Sequence, residues 1–217
     1  NLSGGGTSSG SFTGTAGTTL QFGASYALGA SSTVAADAVL FSAGTVGVSG
    51  AYTASSTTIS GGTASFDSPS PALTTTLTLS NGTLQGTGTL NVSGLTTWTN
   101  GLMTGAGTTN ANGGISASGT LGKNINTSRI LNTAGTTTWT GTGNIQTGTG
   151  AVINNSGTWD CQTDALITNI FGGTATFNNL ANTLPTPPAT FKKSAGSGTT
   201  GVGITFNNSG SVIVQSG

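Results

Sequence analysis

The chain lacks most of the side chains that carry out reactions. Its 217 residues include no His and no Glu, and they include only four Asp, three Lys, one Arg and one Cys. Catalytic and metal-binding sites need several such groups gathered at one place. We therefore expect a protein that is not an enzyme, with no catalytic residues, no cofactor and no metal site.

Charge and long apolar runs are also missing. The formal net charge is zero, and Lys192–Lys193 is the only basic cluster, so nucleic acid is not an expected partner. No stretch approaches the roughly 18–20 apolar residues of a membrane helix, so no membrane span is expected. No cationic segment followed by an apolar run begins the chain, and we expect any signal peptide to have been removed or to lie upstream.

Cysteine occurs once, at Cys161, which excludes a disulfide within the chain. The side chain is interpreted either as a small buried apolar group or as the source of an interchain disulfide or reactive thiol. Large bacterial surface proteins tend to avoid cysteine. This scarcity favours an extracellular or cell-surface location.

What the chain does contain is glycine, threonine and short apolar bursts. There are 38 Gly and 45 Thr, and apolar residues recur in short bursts at 77–79, 90–92 and 212–214. Thr and Val suit half-buried strands, whereas Gly, Thr and Ser are weak helix formers. The only plausible helical turn is Val34 to Leu40.

Turn and tryptophan markers repeat along the chain. Gly114, Gly135 and Gly157 follow one another at a nearly constant interval, and Trp139 follows Trp98 after two such intervals. Repeats of roughly 20–50 residues indicate stacked architectures, and a unit of about 20 fits one coil of three short strands. The sequence therefore predicts an all-β fold: one right-handed parallel β-helix (β-solenoid) domain over residues 1–217, with about 20 residues per coil.

Two kinds of segment predict the corners and loops of these coils. Asn-Asn-Ser-Gly occurs at 154–157 and 207–210, and Phe-Asn-Asn occurs at 177–179 and 206–208. Such repeated corners predict stacked Asn side chains whose amides satisfy one another. Proline cannot donate to a strand ladder, so Asp67–Pro71 and Leu184–Thr190 are predicted to be loops.

The C-terminal third resembles a known class of proteins. The runs 191–200 and 206–217 are similar to the repeats of filamentous-haemagglutinin-like and autotransporter-passenger-like bacterial surface β-solenoids. Those repeats lead from Asn-Ser-Gly-x-Val-x-Val-x-Ser-Gly into Thr-Leu-x-Leu-x-Gly-Gly-Gly. Here the first half ends at Val212–Gly217, and the second half is found in a reduced form at Asn1–Gly6. The resemblance implies an exported surface or filament role and carries no catalytic residues with it.

Two candidate sites each have two interpretations. Asp160 and Asp164 flank Cys161 and are either a calcium or acid–base pair, as in polysaccharide-cleaving β-helices, or a solvated pair near Arg129 or Lys192. The aromatic residues either form a stripe on which sugars stack or belong to the solenoid core. These residues are Trp98, Trp139 and Trp159.

Polar repeats give two further possibilities. The Thr-rich runs 74–78 and 136–140 resemble the outward Thr ranks of ice-binding solenoids, but the pairs drift in register and the coil length varies. Asn-x-Ser/Thr acceptors could carry glycans in a eukaryotic chain, or occur by chance in a bacterial one. They begin at Asn1, Asn81, Asn91, Asn126, Asn154 and Asn207.

These patterns favour a structural function. We expect a rigid extracellular solenoid that forms part of a bacterial surface adhesin, stalk or self-assembling filament. The expected partners are other copies of the chain, stacked head to tail, and cell-surface glycans. A carbohydrate-binding or carbohydrate-active β-helix is the alternative, and an ice-binding solenoid is a less favoured one.

Overall fold

The strands of this protein stack into a parallel β-solenoid of about ten coils. The computed structural model describes residues 1–181 and 188–217, and this part of the chain contains 27 strands and no helix. Every strand pairing in it is parallel, and the first sheet has ten strands, one from each coil. The predicted all-β parallel solenoid is confirmed.

Each coil contributes strands to three faces. The first face contains β1 (Gly6–Ser8), β4 (Tyr26–Leu28), β6 (Thr45–Val48), β8 (Thr63–Phe66), β10 (Thr83–Gln85), β13 (Gly101–Met103), β16 (Lys123–Ile125), β19 (Ile145–Thr147), β22 (Ile167–Asn169) and β25 (Val202–Gly203). The second face contains β2 (Ser11–Thr13), β11 (Thr89–Val92), β14 (Thr108–Ala111), β17 (Ile130–Thr133), β20 (Val152–Asn155), β23 (Thr176–Asn179) and β26 (Thr205–Asn208). The third face contains β3 (Thr19–Phe22), β12 (Thr96–Trp98), β15 (Ile115–Ala117), β18 (Thr136–Trp139), β21 (Thr158–Cys161), β24 (Thr190–Lys193) and β27 (Ser211–Val214).

Three long strands join the second and third faces. They are β5 (Thr33–Phe41), β7 (Ala51–Ile59) and β9 (Ala72–Leu79), and each pairs with its neighbours through both halves. The predicted helical turn from Val34 to Leu40 is therefore wrong, because these residues lie within β5. Pairing with β7 on one side and with β2 and β3 on the other outweighs the local helix preference of the Ala residues.

The coil length agrees with the period predicted from the sequence. On the first face, paired positions in neighbouring coils are separated by different numbers of residues. The separation is shortest at pairs such as Thr45 and Thr63, and it is longer at pairs such as Ile145 and Ile167. The step from Ile167 to Val202 is longer still, because this coil carries the proline-rich segment. The right-handed sense of the coil stays a prediction, in line with the general preference of parallel crossover connections.

The predicted proline loop at 67–71 falls between strands, whereas the one predicted at 184–190 overlaps β24, because Thr190 is the first residue of that strand. Residues 67–71 connect β8 to β9 without strand structure of their own. The second loop lies between β23 and β24; its residues 184–187 lie outside the described part of the chain, whereas Pro188 and Ala189 precede β24 as coil. Insertions of this kind are tolerated because the coil-to-coil pairing resumes after them.

The core consists of columns of inward side chains that run the length of the stack. In one third-face column Trp98 is followed by Ala117, Trp139 and Cys161, so large rings alternate with small side chains. This alternation fills the space between coils that lie only about 4.8 Å apart. Aromatic rings pack together near both ends of the core: Phe22 stacks on Phe41 at a centroid distance of 5.6 Å. Near the other end, Phe177 stacks on Phe206 at 5.4 Å.

Candidate functional surfaces

The two carboxylates that flank Cys161 are each paired with a lysine of the next coil. Lys192 Nζ lies 3.3 Å from Asp160 Oδ2, and Lys193 Nζ lies 2.6 Å from Asp164 Oδ1. The solvated-pair interpretation named Lys192 as a neighbour, and Asp160 has that partner. Arg129 instead donates to Thr109 Oγ1 over 2.6 Å.

Hydrogen bonds keep both carboxylates ionised. Burial raises the pKa of Asp160, but hydrogen bonds from Ser194 and Gln162 and the charge of Lys192 outweigh it and hold the pKa below its usual value. The hydrogen bond from Lys193 lowers the pKa of Asp164, assisted by the Gly198 N–H. Within residues 1–181 and 188–217, no group of three or more His, Cys, Asp or Glu side chains could hold a metal ion.

Lys193 holds a loop in place through its ion pair with Asp164. Its ammonium group also donates to the carbonyl oxygens of Thr163 at 3.1 Å and Ala195 at 2.9 Å. Asp164 Oδ2 in turn accepts the Gly198 N–H at 3.0 Å. The pair therefore ties the segment between β24 and β25 to the preceding coil, which is a structural role.

Cys161 is a core residue. Its side chain is fully buried and has no disulfide partner. Burial, assisted by the charge of Asp160, raises the pKa of the thiol to about 12. The interpretation as a small buried apolar group agrees with this environment, because the thiolate needed for a reactive cysteine is disfavoured.

The three tryptophans are buried in the core. Trp98 and Trp139 share one inward column, whereas Trp159 lies in the adjacent column and packs edge-on against Phe177 at a centroid distance of 5.0 Å. Trp139 Nε1 donates to the Gly143 carbonyl oxygen at 3.2 Å. None of the three rings presents a face to solvent, so the structure does not assemble them into an exposed stripe.

Two cations are buried without a carboxylate beside them. Lys123 and Arg129 are both fully buried, and no described Asp forms an ion pair with either. Lys123 Nζ donates to the Leu121 carbonyl oxygen at 3.0 Å, and burial lowers its pKa. Burial likewise lowers the pKa of Arg129 to about 10. A buried charge without a counter-charge carries a desolvation cost, which at these two positions only hydrogen bonds offset.

Replacing Lys123 by Met is therefore expected to stabilise the protein. Met keeps the apolar stem and removes the charge, and the free energy of unfolding at neutral pH should rise by about 1–3 kcal/mol in urea titrations. Because the folded-state pKa of Lys123 is lowered, the wild-type chain gains stability as the pH rises, and the advantage of the variant should shrink in alkaline buffer. The control is Lys192→Met, because Lys192 is half-exposed and paired with Asp160. An equal rise in the free energy of unfolding of this variant would contradict the explanation.

Hydroxyl side chains form one ordered column on the third face. Thr58, Thr78, Thr97, Ser116 and Thr138 are paired in register through five successive coils. This is a column of single hydroxyls and not of Thr-x-Thr pairs, because the positions two residues earlier include Leu95 and Gly114. The next two positions of the column are Asp160 and Lys192.

A more extensive polar array lies on the second face, and the repeated Asn-Asn segments include only three of its asparagines, Asn154, Asn178 and Asn207. Strands β11, β14, β17, β20, β23 and β26 each carry Asn at the third position, and four of the six carry Thr at the first. We call this array the Thr–Asn face. Its residues are Thr89, Thr108, Ile130, Val152, Thr176 and Thr205 in one column and Asn91, Asn110, Asn132, Asn154, Asn178 and Asn207 in the other.

The asparagines of the Thr–Asn face form a continuous amide ladder. Each Nδ2 donates to the Oδ1 of the previous coil, from Asn110 to Asn91 at 2.7 Å through Asn207 to Asn178 at 2.8 Å. Leu73 occupies this column in the preceding coil, but its side chain has no amide group, so the ladder begins at Asn91. Three of the possible glycan acceptors, Asn91, Asn154 and Asn207, are members of this ladder. The repeated x-x-Asn strand pattern is the signal that could have revealed it.

A second ladder of asparagines lies inside the adjacent corner, as predicted from the repeated Asn-Asn-Ser-Gly and Phe-Asn-Asn segments. Asn155 Nδ2 donates to Asn179 Oδ1 at 2.9 Å, and Asn179 Nδ2 donates to Asn208 Oδ1 at 2.7 Å. Asn155 and Asn179 are fully buried. This ladder satisfies polar groups that would otherwise be unpaired in the core.

The last coil leaves core positions uncovered. Val212 and Val214 continue inward columns, yet their exposures are 50% and 76%, because no described strand pairs with the outer edge of β27. At the other end, Leu2 forms a single bridge beside Phe22, with its N–H donated to the Gln21 carbonyl oxygen at 2.8 Å. The two ends of the stack are therefore apolar edges.

Comparison of the chain with protein-family models, with curated proteins and with solved structures finds no match. In the described residues, no helix is long and apolar enough to cross a membrane.

Proposed function

We propose that this chain is a non-catalytic structural protein, a rigid rod that forms part of a bacterial surface adhesin, stalk or self-assembling filament. The observation that carries this proposal is the run of unbroken inward columns and amide ladders through the coil stack. Side chains with reactive chemistry are few, and the described carboxylates at Asp160 and Asp164 are already paired. An uncharged, extended surface suits an exported location, which the resemblance of residues 154–217 also favours.

The assembly proposed for this rod is a stack of copies joined end to end. Stacked-repeat proteins need polar end repeats to stay soluble as monomers, and exposed strand edges recruit further strands. In a head-to-tail stack, β26 of one copy would pair with β2 of the next, which brings Phe206 onto Phe12. Likewise β27 would pair with β3, which covers Val212 with Leu20. Such a contact does not close on itself and therefore propagates as a filament.

Leu2 competes with this stacking. It occupies the position beside Phe22 that Val214 of a neighbouring copy would take. Only one backbone bridge and its two hydrogen bonds hold Leu2 there, to Gln21 and Gly23. A complete strand such as β27 would form more bonds along the same edge, so we expect it to displace Leu2.

Association of the 217-residue chain should therefore depend on both edges. Electron microscopy and light scattering over a concentration series should detect rods that lengthen with concentration. Val214→Lys should move the onset of association to higher concentration, because a charge at an inward position resists burial. Leu2→Ser should move the onset to lower concentration.

A matched control separates this effect from general solubility. Leu121 is 57% exposed in the turn between β15 and β16, away from both edges, and Leu121→Lys should leave association unchanged. A chain that stays monomeric at every concentration, with and without Leu2→Ser, would overturn end-to-end assembly. Equal effects of the two Lys variants would show that association does not use the end of the stack.

A further inference from the structure

The Thr–Asn face combines regular spacing with rigidity. Neighbouring strands lie about 4.8 Å apart, and residues two positions apart along a strand lie about 6.7 Å apart, so its two columns form a two-dimensional lattice. The amide ladder fixes the orientation of each Asn through hydrogen bonds of 2.7–2.8 Å. The array repeats through six successive coils.

The same face retains unused hydrogen-bonding capacity. An Asn side chain has two N–H donors and an oxygen with two lone pairs, and the ladder uses one donor and one lone pair of each interior member. The Thr hydroxyls of the neighbouring column add donors and acceptors at the same interval. Methyl groups of Thr, Ile130 and Val152 lie between these polar groups, so the surface is partly apolar.

The spacing, rigidity and free hydrogen-bonding groups of the Thr–Asn face indicate which kind of partner it can bind. The face is uncharged, which disfavours ionic ligands, and the tryptophans on which a sugar ring could stack are buried. A rigid lattice of hydrogen-bonding groups fits best to a partner that is itself a periodic, uncharged hydrogen-bonding lattice. We propose that the Thr–Asn face binds crystalline water, the surface of ice.

The other two faces do not offer such a lattice among the described residues. The hydroxyl column of the third face runs into Asp160 and Lys192, which are charged. On the first face, the outward column after Thr83 changes to Leu102, Asn124 and Gln146. A substitution at Thr83 is therefore a suitable control for one on the Thr–Asn face.

Ice binding is tested by thermal hysteresis and by the shape of ice crystals grown in solutions of the purified chain. We expect the wild-type chain to depress the freezing point below the melting point and to facet the crystals. Thr108→Tyr, within the Thr–Asn face, should lose most of this hysteresis, because one bulky ring interrupts the regular array. Thr89→Tyr serves as a second variant, and Thr83→Tyr should retain the wild-type hysteresis.

Thermal denaturation of each variant separates loss of the face from loss of the fold. Loss of hysteresis in folded Thr108→Tyr or Thr89→Tyr, with retention in Thr83→Tyr, supports ice binding. Absence of hysteresis in the wild-type chain, or equal loss in all three variants, overturns it. Retention of the wild-type chain on crystalline cellulose or chitin without any hysteresis would also overturn it and assign the face to polysaccharide. None of these readouts depends on end-to-end assembly.

Discussion

Replacing Gly114 by Ala should destabilise the solenoid by about 2–5 kcal/mol, the sum of a backbone cost and an overpacking cost. Gly114 lies at the corner between β14 and β15 with φ of +89°, a conformation in which a Cβ costs about 1–2 kcal/mol. A Cβ at this position would also overlap the backbone of Thr136 in the next coil. Backbone cannot rotate away as a side chain can, and overpacking typically adds about 1–3 kcal/mol.

Gly17→Ala is the matched control for this prediction. Gly17 has a similar φ of +79°, but a Cβ there would meet nothing within 4 Å. Its replacement should cost about 1 kcal/mol, the conformational part alone. Urea denaturation monitored by circular dichroism gives both values. If both variants lose the same free energy of unfolding, the contact between a Cβ at position 114 and the next coil does not contribute to the loss.

Replacing Asn179 by Leu should cost about 2–3 kcal/mol, because a fully buried amide that bonds to three neighbours is replaced by a side chain that forms no hydrogen bonds. The buried Asn179 amide accepts from Asn155 Nδ2 at 2.9 Å and donates to Asn208 Oδ1 and to the Ser211 carbonyl oxygen at 2.7 and 3.0 Å. Leu has a similar branched shape but removes the middle member of the ladder, and Asn155 Nδ2 then keeps only the carbonyl oxygens of Gly157 and Thr190. Each unpaired buried polar group costs about 1–3 kcal/mol.

The neighbouring Asn178→Leu substitution is the control. Asn178 belongs to the outer ladder, with hydrogen bonds of 2.8 Å to Asn154 and from Asn207, and its side chain is half-buried. Water can replace those bonds, so the loss should stay within about 1 kcal/mol. Thermal and urea denaturation of both variants measures the difference. A larger loss at Asn178 than at Asn179 would contradict a stabilising role for the inner ladder.

Several features of the fold follow from the sequence without any tertiary information. The spacing of Gly114, Gly135 and Gly157 corresponds to one coil, and the spacing between Trp98 and Trp139 corresponds to two coils of one inward column. The period is visible because each coil must return its apolar residues to the same core. The Phe-Asn-Asn repeats predicted the inner ladder for the same reason, since the second Asn of each repeat lies at an equivalent position.

The helix preference of individual residues gave the wrong prediction for β5. The segment around Val34 and Leu40 is rich in Ala, and Ala favours helix in isolation. In the stack, every residue of a coil has potential backbone partners above and below it. Those partners, from β2, β3 and β7, determine the strand conformation, and they are distant in sequence.

The sequence by itself determined the architecture, the coil period and the scarcity of reactive groups, because these depend on composition and repeat length. The tertiary structure alone decided which side chains form columns. A shift of one residue moves a strand side chain to the opposite face, and corners of variable length set that register. Only the folded chain therefore aligns the six asparagines of the Thr–Asn face, buries Trp159 and brings Lys193 to Asp164, which is distant in sequence.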